Sequence, residues 1–222
     1  MQQAAPEPIP YITDGLIFWL DGLTVASNSL WVDRVGGAQY TLHNAVKAAN
    51  GVQFAGDSTS YGESTATFSD GVTIEAAYSL TDTTVNAGIF GQNWPYVGDN
   101  AQPVLALYRT AQSQGIFVKY GTISRQLRKS PISNVEIISA VRWINDSLAV
   151  KNGAVVSIAT TNYLTYPSAG VTGSYIGTPT GSYGWLHGTL HSLRIYDRAL
   201  TVAEMQANQA IDNTRYNLGV IS

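Results

Sequence analysis

The sequence has 222 residues, of which 45% are hydrophobic and 12% are charged, with 21 glycines and no cysteine. This length and apolar content suffice for one sizeable core, and the low charge favours a β-rich domain with neutral polar surfaces. The formal charge of −3, from 12 Lys plus Arg against 15 Asp plus Glu, gives no basic surface for nucleic acid, so we expect no such partner. The lack of cysteine excludes disulfides and cysteine-ligated metals.

The N-terminal dozen residues contain Pro6, Pro8 and Pro10 without a hydrophobic period. This pattern predicts an extended, Pro-rich tail over residues 1–12, followed by a single domain over residues 13–222. The start lacks a basic region followed by an apolar one, so we recognise no secretion signal. No run reaches the roughly 18 apolar residues needed to cross a bilayer, and we expect no membrane insertion.

From Gly15 onward, short runs of β-branched and aromatic residues alternate with turn clusters, which is typical of an antiparallel sandwich. The clearest run begins at Asn134, and both of its alternating faces are apolar, which predicts a central strand. Turn residues then separate it from runs at 147–150 and 154–158. These three runs predict a meander of antiparallel strands.

The pattern of the C-terminal region predicts a long strand over residues 186–196. After that strand, the spacing of the hydrophobic residues changes to that of a helix. Thr201 and Glu204 have the spacing of a capping box, and Leu200 can pack on Met205 as a hydrophobic staple. We therefore expect one short helix that ends near Asn213. The chain has no internal repeat of the kind that solenoids and propellers require.

Several segments share an order and spacing with a known family. They are residues 15–22, 31–33, 51–56, 72–78, 148–153, 174–177 and 188–201, with Glu204. In this order they resemble the concanavalin A-like, laminin G-like jelly rolls, over about residues 15–213. The resemblance implies an all-β, two-sheet antiparallel jelly-roll sandwich with one short C-terminal helix. Members of that superfamily include lectins, glycan-cleaving enzymes, and modules that bind proteins or build surfaces, so the fold alone does not give the function.

Carboxylate spacing argues against catalysis. A retaining glycanase needs two carboxylates about 5 Å apart, normally on one face of one strand. Glu75 and Glu136 each stand alone in their predicted strands, and no strand run pairs a glutamate with an aspartate at the required spacing. A serine nucleophile elbow and a phosphate loop are absent as well. We therefore expect a non-enzymatic protein, with a hydrolase whose carboxylates come from separate strands as the less favoured alternative.

Histidines give no zinc signal. His187 and His191 are four residues apart on a predicted strand, about 13 Å, which is too far for both to bind one metal. We interpret them as surface or cross-strand polar residues. His43 is isolated in sequence, and we interpret it as a hydrogen-bonded loop histidine.

Calcium is neither predicted nor excluded, and no other cofactor is expected. Loop oxygens could bind calcium without a linear signature, but no D-x-D-x-D-G loop is present. Asp and Asn residues beside a glycine usually form turns, and we interpret the candidates in that way. They are Asp57, Asp70, Asp99 and Asn100.

Aromatic residues in predicted loops are the best candidates for a ligand site. Trp94 and Tyr96 lie in a loop with Asp99 and Asn100, where a flat ring beside amides and a carboxylate could stack on a sugar. Tyr163 and Tyr183 occupy similar loop positions and could line the same rim. Three other tryptophans lie in strand patterns and are expected in the core: Trp19, Trp31 and Trp143.

The sequence therefore favours a lectin-like module that binds a glycan or another surface ligand through loop aromatics. The alternative is a structural protein of a phage virion, a capsid decoration or tail-fibre-associated domain, with virion or homo-oligomeric assembly through the N-terminal tail. Both hypotheses place the protein outside the cell or on a virion surface.

Overall fold

The computed structural model describes residues 11–68, 72–92, 105–110, 115–120, 123–127, 133–141, 149–156, 158–159, 173–177 and 184–221. The first eight strands are β1 (Leu16–Asp21), β2 (Leu30–Val32), β3 (Gln39–His43), β4 (Val46–Ala48), β5 (Gly51–Ala55), β6 (Tyr61–Ser64), β7 (Thr73–Leu80) and β8 (Ala87–Gln92). The later strands are β9 (Leu105–Thr110), β10 (Gly115–Tyr120), β11 (Ile123–Leu127), β12 (Val135–Val141), β13 (Ala149–Lys151), β14 (Ala154–Val156), β15 (Ile158–Ala159), β16 (Ser174–Ile176) and β17 (His187–Tyr196). Helix α1 spans Val202–Arg215, after a short 3-10 turn at Gly22–Thr24.

These strands form two antiparallel sheets that face each other. Sheet A has the order β14-β13-β12-β7-β17-β5-β4, and β1 also pairs with β17. Sheet B has the order β15-β11-β10-β9-β8-β16-β6-β3-β2. The fold is thus the all-β, two-sheet jelly-roll sandwich that the sequence predicts.

The strand predictions near the C-terminal half are confirmed. Strands β12, β13 and β14 form the expected meander, and β12 lies inside sheet A between β7 and β13. Asn152 has a φ of 48° and Gly153 a φ of 81°, so the tight turn between β13 and β14 uses the residues that tolerate that conformation. The predicted long strand over residues 186–196 is β17.

The core lies between the two sheets. Phe18, Phe54 and Tyr78 contribute to it from sheet A, and Tyr40 and Phe90 from sheet B. Alternation of side chains along each strand directs every second residue into this space.

The tryptophan predictions have mixed outcomes. Trp31 is fully buried in the core, as expected. Trp19 is only half-buried, because it pairs in register with Arg194 on the outer face of sheet A instead of pointing between the sheets. Trp143 lies outside the described residues.

Helix α1 is confirmed with its predicted cap. The Thr201 hydroxyl accepts a hydrogen bond from the Glu204 amide, and the Glu204 carboxylate accepts one from the Thr201 amide at 2.8 Å. Leu200 and Met205 are buried in the same small hydrophobic cluster, which fixes the entry of the chain into the helix. The helix ends at Arg215, two residues beyond the predicted end. It is not long or apolar enough to cross a membrane, and no other described helix is.

The described chain begins with residues that pack against α1. The Tyr11 hydroxyl donates to Asp212 at 2.8 Å, and the Ile12 amide donates to Asn208 at 3.0 Å. Residues 1–10 of the predicted tail lie outside the described residues. Its last two residues, by contrast, belong to the packed part of the chain.

Candidate functional site

The predicted ligand residues lie outside the described part of the chain, but the strands that flank their segments are described. Residues 93–104 follow Gln92 at the end of β8, and residues 160–172 precede Gly173 and Ser174 at the start of β16. Gln92 and Ser174 are direct cross-strand partners. The segments containing Trp94 and Tyr163 therefore join the sandwich at neighbouring points. The predicted ligand residues that lie outside the described part of the chain are Trp94, Tyr96, Asp99, Asn100, Tyr163 and Tyr183.

The segment containing Tyr183 joins the sandwich elsewhere. It ends at Gly184, which approaches Asn86 so closely that a β-carbon there would lie 2.2 Å from the Asn86 carbonyl oxygen. Asn86 precedes β8, whereas Gln92 ends it, and six residues of strand span about 17 Å. Gln92 and Ser174, which flank the segments of Trp94 and Tyr163, are thus neighbours, whereas Gly184, which follows Tyr183 in sequence, lies near the other end of β8.

An exposed polar and aromatic cluster lies beside the Gln92–Ser174 junction, on the outer face of sheet B. We call it the sheet B patch, and it consists of His43, Tyr61, Glu63 and Tyr175. His43 pairs with Tyr61 in the register of β3 and β6, and Glu63 pairs with Tyr175 in that of β6 and β16. Directly opposed residues of antiparallel strands share a face, so these side chains project together.

The residues between these positions point the other way. Leu42 and Ile176 alternate with the patch residues and belong to the core, and Gly62 pairs with both of them. A β-carbon at Gly62 would lie 2.7 Å from a side-chain carbon of Ile176, so glycine is required for the close packing beneath the patch. The patch therefore rests on a tightly packed support.

The aromatic rings of the patch form two tilted surfaces. The His43 imidazole stacks on Tyr61 with 4.6 Å between ring centroids and an angle of 25°. The Tyr61 and Tyr175 rings are 6.5 Å apart and inclined at 46°. One face of Tyr61 is thus occupied by His43, while Tyr175 supplies a second, differently oriented ring.

Glu63 is the charged member of the patch. His43 Nε2 lies 2.9 Å from Glu63 Oε1, and the two side chains are 36% and 43% exposed. Burial, the Glu63 carboxylate and the Tyr61 phenol all raise the pKa of Tyr175, in that order of importance. The Tyr175 hydroxyl therefore remains a hydrogen-bond donor near a carboxylate acceptor, beside an aromatic face.

The position of His43 in the structure differs from the loop position that the sequence suggested. It is hydrogen-bonded, as expected, but it is neither isolated nor in a loop, because β3 extends through it and the turn begins at Asn44, where φ is 44°. The alternation of Thr41 with His43, and of Tyr61 with Glu63, is the signal in the sequence that could have identified this face.

The outer face of sheet A carries a different polar cluster, centred on Arg194. Its guanidinium donates to Glu75 at 3.0 Å and to both carboxylate oxygens of Asp212 at 2.8 and 2.5 Å, and it lies 4.3 Å from the centroid of the Tyr11 ring. Asn208 of α1 also donates to Glu75. The side chains of Arg194, Glu75 and Asp212 are at most 1% exposed, so α1 and Tyr11 close over this cluster.

Opposite charges face one another in this buried cluster. Burial alone would lower the pKa of Arg194, but Asp212 and Glu75 raise it well above its usual value. Burial raises the pKa of Glu75, and Arg194 and the hydrogen bond from Ser139 offset that rise only in part. These groups satisfy one another and leave no access for a substrate.

Glu136 lies on the opposite face of sheet A from Glu75. It pairs with Tyr78 in the register of β12 and β7, accepts a hydrogen bond from the Tyr78 hydroxyl, and accepts another from Lys151 Nζ at 2.7 Å. Glu136 is fully buried and Lys151 is 5% exposed. Because the two glutamates project from opposite faces, they do not form the carboxylate pair of a glycanase.

The other residues considered as metal ligands make structural hydrogen bonds, where they are described. His191 is buried, with Nε2 2.6 Å from Ser79 Oγ on the neighbouring strand β7, so the cross-strand interpretation holds. Asp57 accepts hydrogen bonds from the amide and the hydroxyl of Thr59 and thereby forms its own turn. Asp70, Asp99 and Asn100 lie outside the described residues. Within the described part of the chain, no three His, Cys, Asp or Glu residues cluster as metal ligands.

Known structures share this architecture at low sequence identity. The structure of Trypanosoma rangeli sialidase in complex with the inhibitor DANA matches with a TM-score of 0.66 and 18% identity, over 95% of this chain and 34% of the sialidase chain. The binding domain of botulinum neurotoxin serotype D matches with a TM-score of 0.63 and 10% identity, over 89% of this chain and 52% of that one. The chain thus spans about a third of the sialidase and half of the neurotoxin domain.

These matches establish the fold class, a lectin-like β-sandwich, and not an activity. No protein-family model matches the sequence, and no curated protein matches it.

Proposed function

We propose that this protein is a non-enzymatic, lectin-like module of the concanavalin A-like type that binds a glycan outside the cell. The observation that supports this most strongly is the sheet B patch, in which two tilted tyrosine rings, an imidazole and a carboxylate lie half-exposed on one sheet face. Sugars are recognised by stacking of C–H faces on aromatic rings together with hydrogen bonds from hydroxyls to carboxylates and amides.

The position of the patch extends this proposal to the loop aromatics. Tyr175 is one residue from Ser174, where the segments of residues 93–104 and 160–172 join the sandwich. We propose that Trp94, Tyr96, Asp99, Asn100 and Tyr163 border the same ligand site, with the patch as its floor. Gly184, the residue after Tyr183, lies near the far end of β8, so we propose that Tyr183 contributes only to the binding of an extended ligand.

The environment of four described carboxylates supports the non-enzymatic part of this proposal. Glu75 and Asp212 are sealed beneath α1 and neutralised by Arg194, and Glu136 is paired with Lys151 inside the sandwich. Glu63 is accessible, but its partner is a histidine at 2.9 Å and not a second carboxylate. Glu63, Glu75, Glu136 and Asp212 therefore do not supply the two facing carboxylates of a glycoside hydrolase.

The test is a glycan array probed with the wild-type protein, with Tyr175→Ala and with Val155→Ala. Val155 is 56% exposed on β14 of sheet A and serves as a surface control. We expect selective binding by the wild type and the control, and about a five- to thirtyfold loss for Tyr175→Ala, since stacking on one aromatic residue contributes roughly 1–2 kcal/mol. Binding that Tyr175→Ala leaves unchanged would remove the patch from the site. A folded wild-type protein that binds no glycan would contradict the proposal and favour an assembly role.

A further inference from the structure

We infer that Ser79 is a reactive serine, with His191 as its base, and that it takes up an acyl group from an activated ester. The site lies on the outer face of sheet A, away from the sheet B patch. The inference goes beyond the proposed glycan binding and does not depend on it. It concerns covalent modification of one serine and requires no turnover.

Two hydrogen bonds define the tautomer of His191. Its Nδ1 lies 2.8 Å from the Asn50 carbonyl oxygen, which can only accept, so Nδ1 carries the proton. Its Nε2 lies 2.6 Å from Ser79 Oγ. Burial lowers the pKa of His191 and favours the neutral imidazole, in which Nε2 accepts from the Ser79 hydroxyl. A nucleophile, a base and a group that orients the base are thus aligned, with a main-chain carbonyl in the place that an aspartate takes in a catalytic triad.

A β-bulge in β17 places His191 beside β7. The register between these strands shifts between Leu190 and Ser192, so His191 is the extra residue of the bulge. The ring of Tyr216, the residue after α1, stacks on the imidazole with 5.9 Å between centroids and an angle of 27°. The Asn50 side chain donates to the Tyr216 carbonyl at 3.0 Å, which ties the turn between β4 and β5 to the end of the helix. The base is therefore held in place by contacts from several elements.

Ser79 is more open to solvent than its base. His191 is 3% exposed, whereas Ser79 is half-buried. Ser79 lies in a row of directly paired strand positions that also holds Val135, Thr189 and Gln53. Val135 and Thr189 are half-buried and Gln53 is exposed, so α1 does not seal this row. A small ester can therefore approach Ser79 from solvent while the imidazole stays shielded.

The chemical step is a substitution at the ester. Ser79 Oγ forms a bond to the carbonyl carbon, and the bond from that carbon to the leaving group breaks. The hydroxyl proton passes to His191 Nε2 and from there to the leaving group. The same attack on a fluorophosphonate forms an oxygen–phosphorus bond and releases fluoride, so this reagent reports the same nucleophile.

The experiment treats the protein with a fluorophosphonate and locates adducts by intact-mass measurement and peptide mapping. We expect one adduct on the wild type, at Ser79, and none at that position in Ser79→Ala. Ser29→Ala is the matched control and should react like the wild type, because the exposed Ser29 hydroxyl lies 3.1 Å from that of Ser27 and not beside an imidazole. His191→Gln should slow the reaction by about a hundredfold or more, since a general base typically contributes that much.

A second measurement leaves His191 in place and so does not depend on the folding of its variant. The chain has no cysteine, so Ser79→Cys and Ser29→Cys each introduce a single thiol. A neighbouring base raises the thiolate fraction. At neutral pH, iodoacetamide should therefore modify Ser79→Cys at least about tenfold faster than Ser29→Cys, although position 29 is the more exposed.

The outcomes separate this inference from the proposed function. A folded wild-type protein without an adduct at Ser79 overturns the inference, and so does equal labelling of the wild type and a folded His191→Gln. Alkylation of Ser79→Cys that is no faster than that of Ser29→Cys overturns the role of His191. None of these measurements uses a glycan, so a blank glycan array would contradict the proposed function and leave this inference standing.

Discussion

The outer faces of the two sheets carry similar residue types in opposite situations. Sheet A presents Glu75 and Arg194, and sheet B presents Glu63 and His43, with tyrosines beside both pairs. On sheet A, helix α1 and Tyr11 cover the polar groups, and each described charge there has a buried partner of opposite sign. On sheet B the polar groups are half-exposed, and one oxygen of Glu63 has no described donor.

This difference shows that burial beneath α1 and Tyr11, and not residue type, distinguishes the structural cluster on sheet A from the candidate site on sheet B. Once desolvated, the groups on sheet A are costly to leave unpaired, so their hydrogen bonds must be complete. The groups on sheet B remain hydrated and can exchange water for ligand hydroxyls at small cost.

The largest effect that we expect comes from Arg194→Ala. This change leaves Glu75 and Asp212 buried without their shared cation, and should lower the free energy of unfolding by about 3–5 kcal/mol. Urea denaturation followed by circular dichroism would measure it. The control is Arg34→Ala. The Arg34 side chain is 42% exposed, and its partner Asp21, although buried, keeps its ion pair with Arg215, so this variant should cost only about 1 kcal/mol. Equal small losses for both variants would show that the sheet A cluster does not hold α1 in place.

A smaller effect on stability is expected at Glu204, in the first turn of the helix α1 that packs over the Arg194 cluster. Hydrogen bonds from Arg198 and Thr201 lower the pKa of Glu204 from its usual 4.5 to about 2. Because the folded-state pKa lies below the unfolded one, this stabilisation is present above about pH 4.5 and is lost as the pH falls towards 2. Solvent screens the group, so Glu204→Gln should cost only about 1 kcal/mol at neutral pH.

Thermal unfolding of the wild type and Glu204→Gln between pH 7 and pH 2 would test this prediction. The difference in Tm should be constant near neutral pH and vanish near pH 2. A difference that persists at pH 2 would mean that the charge of Glu204 is not its source.

The smallest effect on stability is expected in the sheet B patch. Glu63→Gln removes a half-exposed charge whose partner is also half-exposed, so the free energy of unfolding should change by no more than about 0.5 kcal/mol. Glycan binding should nevertheless weaken, because the variant loses the carboxylate that accepts hydrogen bonds from sugar hydroxyls. A loss of stability as large as that of Arg194→Ala would place Glu63 among structural residues and would weaken the contrast between the two faces.

Much of the fold could be predicted from the sequence because its signals are local. The capping box of Thr201 and Glu204 and the alternation in β12 and β17 each depend on neighbours within a few residues. The end of α1 was less predictable, since Arg215 continues the helix to bond with Asp21, 194 residues away in sequence.

The candidate site was harder to predict because it joins three separate strands. His43, Glu63 and Tyr175 become neighbours only through the pairing of β3, β6 and β16, and no local pattern reports that pairing. For the same reason Glu75 and Glu136 looked isolated in sequence, although Arg194 and Lys151 reach them from other strands. The predicted loop site at Trp94 and its companions remains a prediction, since those residues lie outside the described part of the chain.

The most direct test of the open sheet B face is amide chemical-shift mapping of the wild-type protein with its strongest-binding array glycan. The ligand-face proposal predicts the largest shifts at His43, Tyr61, Glu63 and Tyr175, with those at Arg194 and Asn208 unchanged. Large shifts confined to α1 and the outer face of sheet A, with the patch unaffected, would contradict it.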